Sequence, residues 1–151
     1  MGKIEVRRAV IDDAMLIIEF VQRLLIELGG DLPIDKQSAI NFCKRLLRTR
    51  NYYAFIANKD GLDVGMITVT ECSALYVGGK LGWIQELYVT PEVRSQDIGK
   101  ILITEAEKLA KGLGWLRLEL DTPEVEAWPR TIAFYRRQGF IGASFHLKKK
   151  I

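Results

Sequence analysis

A glutamate lies within one of the most apolar stretches of the chain, Trp83–Val89 (WIQELYV). A run this apolar predicts a strand near the centre of a sheet. Burying a carboxylate without a partner is costly, so Glu86 should be paired, protonated or facing a cleft. In a cleft it is suited to general-base chemistry, whereas binding to a neighbouring Arg or Lys makes it structural. The residues alone favour neither interpretation.

A polar loop follows this strand and leads directly into a helix, over residues 89–100 (VTPEVRSQDIGK). Free backbone N–H groups and the helix dipole favour phosphate at a helix N-terminus. Gly99 allows a close backbone approach, and Arg94 and Lys100 add positive charge. The segment therefore predicts an anion site, although many helices simply begin after a polar loop.

A third segment, Trp128–Phe140 (WPRTIAFYRRQGF), places an aromatic pair late in a short helix. Tyr135 is followed by Arg136 and Arg137, whose charges are expected to lower the pKa of the phenol and suit it to proton donation. Core packing is the more usual role of such an aromatic pair, and both interpretations stay open.

The elements that position these residues follow from hydrophobic periodicity and turn residues. The predicted strands are Ile4–Arg8, Tyr52–Ala57, Val64–Thr70, a segment around Ala74–Val77, Trp83–Val89, Trp115–Asp121 and Phe140–Leu147. The predicted helices run from Asp12-Asp13 to Gly29-Gly30, across Ile40–Leu47, from Ile98 to Gly114 and from Pro129 to Gly139. The order β-α-α-β-β-β-β-α-β-α-β predicts an α+β fold with one mixed, mostly antiparallel sheet flanked by helices.

The length and composition indicate one domain over residues 1–151. The chain is 48% hydrophobic and 27% charged, which is typical of a globular domain with its own core. No uncharged apolar run approaches the length of a membrane span, and the charged first ten residues predict no signal peptide.

The net charge of +3 excludes a strong nucleic-acid footprint. Residues 1–75 carry no net charge, so the excess lies in residues 76–151. The one basic run, Lys148–Lys150, is expected to be a solvated tail. We expect neither nucleic acid nor membrane as a partner, and a small anionic ligand suits the second half.

Metal-ligating residues are scarce. Cys43, Cys72 and His146 are too few for a structural zinc site, so no metal is expected. The two cysteines are interpreted as reduced, packed thiols of a cytoplasmic protein, and His146 is given no role.

The three segments together resemble the GNAT superfamily of acetyl-CoA-dependent N-acetyltransferases. The resemblance lies in the order ELYV, then PEVRSQDIGK at the start of a long helix, then FYRRQGF. It covers about the C-terminal half of the chain, and the combination is specific although no single block is. It implies transfer of an acetyl group from acetyl-CoA to a primary amine by direct attack in a ternary complex.

In this family the loop amides hold the pyrophosphate of CoA. The resemblance thus implies a cofactor site formed by Leu87, Tyr88, Val89, Arg94, Ser95, Gln96, Asp97, Ile98, Gly99 and Lys100. Asp97 occupies the place of a glycine in the family pattern. Aspartate tolerates the left-handed backbone conformation, but its charge either points away from the helix amides or weakens binding.

The resemblance also implies the catalytic roles. Glu86 aligns with the general base, with anchoring of the substrate ammonium as the alternative, and Tyr135 aligns with the acid that protonates the CoA thiolate. Trp128 stands where the family commonly has an Asn that contacts the cofactor, and packing or lining of the acceptor site are the two roles open to it.

The acceptor side is the least defined part. The first helix, the Gly29–Asp35 loop and the Ala74–Gly82 segment form it by analogy. Acidic residues there and in the later loops would attract a cationic amine, although solvated surface explains each equally well: Asp31, Asp35, Glu71, Glu124 and Glu126. A homodimer is expected by analogy only. Two other classes remain, namely a GNAT-fold module that binds CoA or a metabolite without turnover, and an interaction domain with no cofactor.

Overall fold

The computed structural model describes residues 2–124, 126–142 and 146–151. Its strands are β1 (Ile4–Arg8), β2 (Tyr52–Lys59), β3 (Leu62–Ala74), β4 (Gly79–Val89) and β5 (Leu118–Leu120). Its α-helices are α1 (Ala14–Glu27), α2 (Lys36–Leu47), α3 (Ile98–Leu113) and α4 (Pro129–Arg137). Short 3-10 turns at Ile11–Asp13 and Pro91–Val93 precede α1 and α3. The predicted α+β class is confirmed.

The sheet has the strand order β1-β2-β3-β4-β5, so β4 is an inner strand as predicted for Trp83–Val89. The first four strands pair antiparallel with their neighbours. Leu116 N donates to Lys80 O at 2.9 Å, and Gly82 N donates to Arg117 O at 3.1 Å. Because both residue numbers increase together, the segment leading into β5 runs parallel to β4.

Two hairpins connect the middle strands. The predicted Asp-Gly turn joins β2 to β3, with Asp60 and Gly61 at φ +53° and +89°. The prediction of a separate strand around Ala74–Val77 is wrong, because β3 continues to Ala74 and residues 75–78 form the next turn. Gly78, at φ +88°, permits this reversal. The middle of the chain therefore contains one strand fewer than predicted.

Helices α1 and α2 cover one face of the sheet, which we call the α1/α2 face. Their apolar stripes pack on side chains that alternate along β2, β3 and β4. The buried residues of this core are Ala9, Ala14, Ile17, Ile18, Phe20, Ala39, Ile40, Cys43, Tyr52, Ala54, Ile56, Met66 and Tyr88.

Helix α3 covers the opposite face, which we call the α3 face. Its buried stripe consists of Ile98, Leu102, Ile103, Ala106 and Ala110. The intervening strand residues, including Ile67 and Val69, are buried on this side. The helix ends as predicted at Gly114, which has φ +71°.

The last predicted strands differ from the structure. β5 is shorter than the predicted Trp115–Asp121, because Trp115 N still bonds to Ala110 O and completes the cap of α3. The predicted strand Phe140–Leu147 lies partly outside the described residues. Its described residues are not in a strand, and Gly142 at φ +104° interrupts the extended run there.

Residues 1–119 and 120–151 form two compact units. Within the second unit, α4 begins at Pro129 as predicted, and Gly139 ends it with φ +92°. Across the described ranges, every helix is too short or too polar to cross a membrane.

Candidate active site

A β-bulge in β4 decides the direction in which Glu86 points. Thr68 pairs with Glu86, whereas the next residue of β3, Val69, pairs with Ile84, so Gln85 is the extra residue. Tyr88 belongs to the core of the α1/α2 face, and Glu86 is two residues away on the same strand. Glu86 therefore points to the α1/α2 face, while Ile84 lies opposite Val69 on the α3 face.

The carboxylate of Glu86 is bound by a buried threonine. Thr68 Oγ1 donates to Glu86 Oε1, and Glu86 N donates to Thr68 Oγ1 at 3.1 Å. Burial raises the pKa of Glu86 above the usual carboxyl value, and the Thr68 hydrogen bond opposes part of that rise. Among the described residues, no Arg or Lys lies within ion-pair distance of this carboxylate. The structure therefore does not support the interpretation that Glu86 is bound to a neighbouring Arg or Lys.

Two neutral groups face the same carboxylate. Burial, and then the negative charge of Glu86, raise the pKa of Cys43 to about 11. The same two causes raise the pKa of Tyr52. At neutral pH both stay protonated, so the surroundings of Glu86 supply polar groups without a compensating positive charge. Both cysteines are free, with Cys43 buried and Cys72 half-buried.

The backbone of β4 exposes alternate groups on its two edges. Thr90 N donates to Val64 O at 2.8 Å, so residues 90, 88 and 86 direct their N–H and C=O groups towards β3. Leu87 and Val89 consequently direct theirs towards the other edge, as expected for a strand that pairs with a ligand. Arg94 Nε confirms the direction, because it donates to Val89 O at 2.9 Å. The side chain of Tyr88 lies in the core beside Phe20, with 5.7 Å between ring centroids.

Arg94 is bound to elements on either side of the loop. Its Nη2 donates to both carboxylate oxygens of Glu27 in α1, at 2.7 and 2.9 Å, and its guanidinium lies 5.5 Å from the Tyr88 ring centroid. Arg94, which was predicted to add positive charge beside the phosphate, is thus paired with Glu27. Arg94 instead ties α1 to the end of β4 and to the loop.

The loop has a shape in which backbone amides can surround an anion. Ser95 and Asp97 both have a left-handed backbone at φ +65°, and position 97 is the one where the family pattern has glycine. The side chain of Asp97 is exposed and makes no capping hydrogen bond. The carboxylate of Asp97 therefore does not cap the helix amides in this structure. Gln96 Oε1 accepts a hydrogen bond from Lys59, at the end of β2.

The first turn of α3 offers amides to a ligand. The first intrahelical bond runs from Ile101 N to Asp97 O at 2.9 Å. The N–H groups of Ile98, Gly99 and Lys100 precede it and have no acceptor within the helix. Buried Ile98 anchors the turn, and exposed Lys100 adds a positive charge. These groups fit a pyrophosphate in charge and in hydrogen-bonding capacity.

Tyr135 lies in the second unit, among aromatic rings. Its ring centroid is 5.2 Å from that of Phe134 and 5.7 Å from that of Phe140. The prediction that Arg136 and Arg137 lower its pKa is wrong, because burial raises the pKa of Tyr135 to about 12. The phenol therefore keeps its proton at neutral pH. Trp128 is the N-cap residue of α4.

Several predicted acidic residues have structural partners. Glu71 accepts from Trp115 Nε1 at 2.7 Å and pairs with Lys80 at 3.2 Å. Asp35 caps α2 by accepting from Ser38 N at 2.9 Å. Asp31 accepts from Gln22 and from Leu32 N. The structure thus assigns these three carboxylates to the fold. Across the described residues, no cluster of His, Cys, Asp and Glu is arranged to hold a metal ion.

The residues that sequence reasoning missed are Thr68, Tyr52, Cys43 and Glu27. Thr68 was the detectable one, since it interrupts an apolar run of β3 with a hydroxyl. The others come from elements far away in sequence, and no local pattern connects them to Glu86 or Arg94.

Known proteins share the sequence family and the fold of this chain. A family profile described as an acetyltransferase (GNAT) domain matches residues 50–141. An aminoalkylphosphonate N-acetyltransferase of Salmonella typhimurium is 33% identical over 110 residues, which cover 73% of this chain and 70% of that protein.

Two solved structures are similar over nearly the whole chain. A transcriptional regulator from Bacillus halodurans has a TM-score of 0.85 at 22% identity, covering 99% of this chain and 100% of that chain. An aminoglycoside N-acetyltransferase in complex with CoA has a TM-score of 0.82 at 13% identity, covering 100% of this chain and 96% of that chain. Identities this low show a shared fold.

Proposed function

The chain belongs to the GNAT acetyltransferase family, and on this basis we propose that it transfers an acetyl group from acetyl-CoA to a primary amine. The observation that carries the proposal is the environment of Glu86. Its carboxylate has a raised pKa and no cationic partner among the described residues. The next residue, Leu87, directs its backbone N–H and C=O groups away from β3. A structural carboxylate needs neither feature.

Two parts of the chain would hold the co-substrate. The amides of Ile98, Gly99 and Lys100 would bind the pyrophosphate, and the left-handed residues Ser95 and Asp97 shape the loop before them. Leu87, on the outer edge of β4, would pair with the pantetheine arm. The solved relative that contains CoA supports this class of ligand.

Glu86 would act as the general base. Acetyl-CoA supplies an activated acetyl group as a thioester. An amine that is protonated at neutral pH has no lone pair, so the base must remove a proton before or during attack. A raised pKa makes Glu86 a stronger base than an ordinary carboxylate. Because no Arg or Lys of the described residues pairs with it, an ammonium can approach it.

Two further groups would assist as bonds change. The amine nitrogen bonds to the carbonyl carbon, and the carbon–sulfur bond breaks. The N–H of Leu87 would stabilise negative charge that develops on the carbonyl oxygen. The Tyr135 phenol, protonated because its pKa is about 12, would give its proton to the departing sulfur. Since Tyr135 belongs to the second unit, its role rests on the motif and on its protonation state.

The acceptor is proposed to be a small amine. The Salmonella relative is named for aminoalkylphosphonates, and a structural relative for aminoglycosides. Compounds of both kinds present an amine on a polar carrier. A carboxylate without a bound cation suits such a substrate equally as base or as anchor, so turnover must separate the two roles.

The proposal is tested by CoA release over a panel of aminoalkylphosphonates, aminoglycosides, polyamines and amino acids. We expect turnover with at least one class and a loss of about 100-fold in kcat for Glu86→Gln, with acetyl-CoA binding retained. Exposed Glu107 on α3 provides the matched control, Glu107→Gln. Wild-type turnover by Glu86→Gln would refute the base role, and reduced affinity for the amine with unchanged kcat would make Glu86 an anchor.

A second candidate is a module that binds CoA without turnover. The pairing of Arg94 with Glu27, and the aspartate at position 97, are the observations that favour it. Stabilisation by CoA in a thermal shift, together with no thiol release from any amine of the panel, would establish this alternative.

A further inference from the structure

A single threonine interrupts the apolar centre of β3. Thr68 lies between Ile67 and Val69, and its side chain is fully buried, at 0% exposure. A buried hydroxyl lowers stability unless it is hydrogen-bonded. Thr68 Oγ1 forms two hydrogen bonds with Glu86, and the Tyr52 phenol also interacts with this hydroxyl.

The two bonds form a closed ring. Glu86 N–H donates to the hydroxyl oxygen, and the hydroxyl proton is directed to Glu86 Oε1. The ring fixes the carboxyl group relative to its own backbone at the bulge, where the ladder is irregular. With Oε1 held in this way, Oε2 is the oxygen that remains for a ligand.

We propose that Thr68 is a positioning residue for acetyl transfer: its hydroxyl holds one oxygen of Glu86 so that the other meets the amine. This inference rests on the proposed function, because it assumes that Glu86 removes a proton from an amine substrate. Thr68 itself touches neither the amine nor the thioester. It acts through the direction in which it holds the base.

Among the described residues, Thr68 is the side chain that donates a hydrogen bond to the Glu86 carboxylate. Helix α2 contributes the thiol of Cys43, and β2 contributes the phenol of Tyr52, both neutral at pH 7. Helix α1 contributes apolar side chains to this core, including Ile17 and Phe20. Thr68 lowers the pKa of Glu86 against the effect of burial, so removing the hydroxyl should raise that pKa further.

The test titrates Glu86 directly, without any substrate. Protein with 13C-labelled glutamate carboxyl groups is followed by NMR from pH 4 to 9, and the signal absent from Glu86→Gln identifies the residue. We expect Thr68→Val and Thr68→Ala to raise the midpoint by about one pH unit, as for loss of one hydrogen bond to a charged group. Thr68→Ser, which keeps the hydroxyl, should restore the wild-type midpoint.

Two variants without the hydroxyl protect the test against packing effects. Valine preserves the side-chain volume and alanine does not, so a shift of the Glu86 midpoint that both variants share reports the loss of the hydroxyl. If the valine variant does not fold, the alanine variant provides the test. Thr70→Val is the matched control on the same strand. Midpoints that stay at the wild-type value in the valine and alanine variants would overturn the inference.

Kinetics separate this inference from the proposed function. At a pH above the Glu86 midpoints of both proteins, where the carboxylate is ionised in each, Thr68→Val should still lower kcat about tenfold, because the base is no longer held towards the amine. The KM for the amine should change little. A shifted NMR midpoint with unchanged kcat would overturn the positioning role alone, whereas wild-type turnover by Glu86→Gln would refute the base assignment.

Discussion

Replacement of Asp97 tests how the loop between β4 and α3 receives a diphosphate. Asp97 has a left-handed backbone at φ +65° and an exposed carboxylate that caps no helix amide. The variant Asp97→Gly removes a negative charge at the mouth of the proposed site and places there the residue that adopts this conformation most readily. We predict tighter binding of acetyl-CoA.

The magnitude follows from Coulomb's law with solvent screening. Two unit charges about 4 Å apart interact by about 1 kcal/mol in water and by about 4 kcal/mol near a protein surface. Because Asp97 is exposed, we take the lower part of this range, about 1 to 2 kcal/mol. The expected gain in affinity is about 5- to 30-fold.

Titration calorimetry at low and at high salt is the assay. Asp97→Asn removes the charge but keeps a side chain that tolerates the left-handed region, so it should show most of the gain. The gain should shrink in high salt. Asp12→Asn, at an exposed position on the turn before α1, matches the change in net charge. Unchanged or weaker binding in both Asp97 variants would refute the reasoning.

Three further predictions concern other parts of the chain. Glu27→Gln should lower the free energy of unfolding by about 1 kcal/mol, a small loss because the ion pair with Arg94 is half-exposed. Chemical denaturation at two salt concentrations measures this loss, and an unchanged free energy of unfolding would show that the pair does not stabilise the fold. Tyr135→Phe should lower kcat about tenfold with little effect on acetyl-CoA affinity, and a kcat equal to wild type would exclude the phenol as acid. Glu86→Gln should be more stable than the wild type at neutral pH, since a raised carboxyl pKa means that the folded state resists ionisation. That difference should disappear in thermal scans as the pH falls below the ordinary carboxyl range, and its persistence there would contradict the assigned cause.

Local sequence was sufficient for the turns and for most elements. Asp60-Gly61, Gly114 and Gly139 each have the positive φ that their residue types and positions predicted. Aspartate at position 97 also adopts the left-handed conformation expected of it. These features depend on one or two adjacent residues, so a single sequence contains the required information.

The direction of Glu86 could not be predicted, because it depends on pairing between strands. Nothing in WIQELYV marks Gln85 as the extra residue, and the bulge appears only where β4 meets Thr68 and Val69 of β3. A regular strand would place Ile84 and Glu86 on one face, and the bulge separates them. The same limit hid the partner of Thr68: its hydroxyl interrupts an apolar run of β3, but nothing local connects it to Glu86.

The electrostatic surroundings of Arg94 and Tyr135 could not be predicted from the sequence either. The sequence placed Arg94 next to phosphate, but Glu27 binds it from 67 positions away. The neighbours of Tyr135 in sequence are cationic, and yet burial dominates its pKa. In both cases a nonlocal contact outweighs the residues next to it in the chain.

A crystal structure with bound CoA would show whether the loop before α3 holds the diphosphate. We predict the diphosphate on the amides of Ile98, Gly99 and Lys100, with the pantetheine arm paired to the outer edge of β4 at Leu87. The carboxylate of Asp97 should point away from the phosphates. A structure in which CoA lies elsewhere, or in which Asp97 closes over the start of α3 and occupies those amides, would contradict the proposed site.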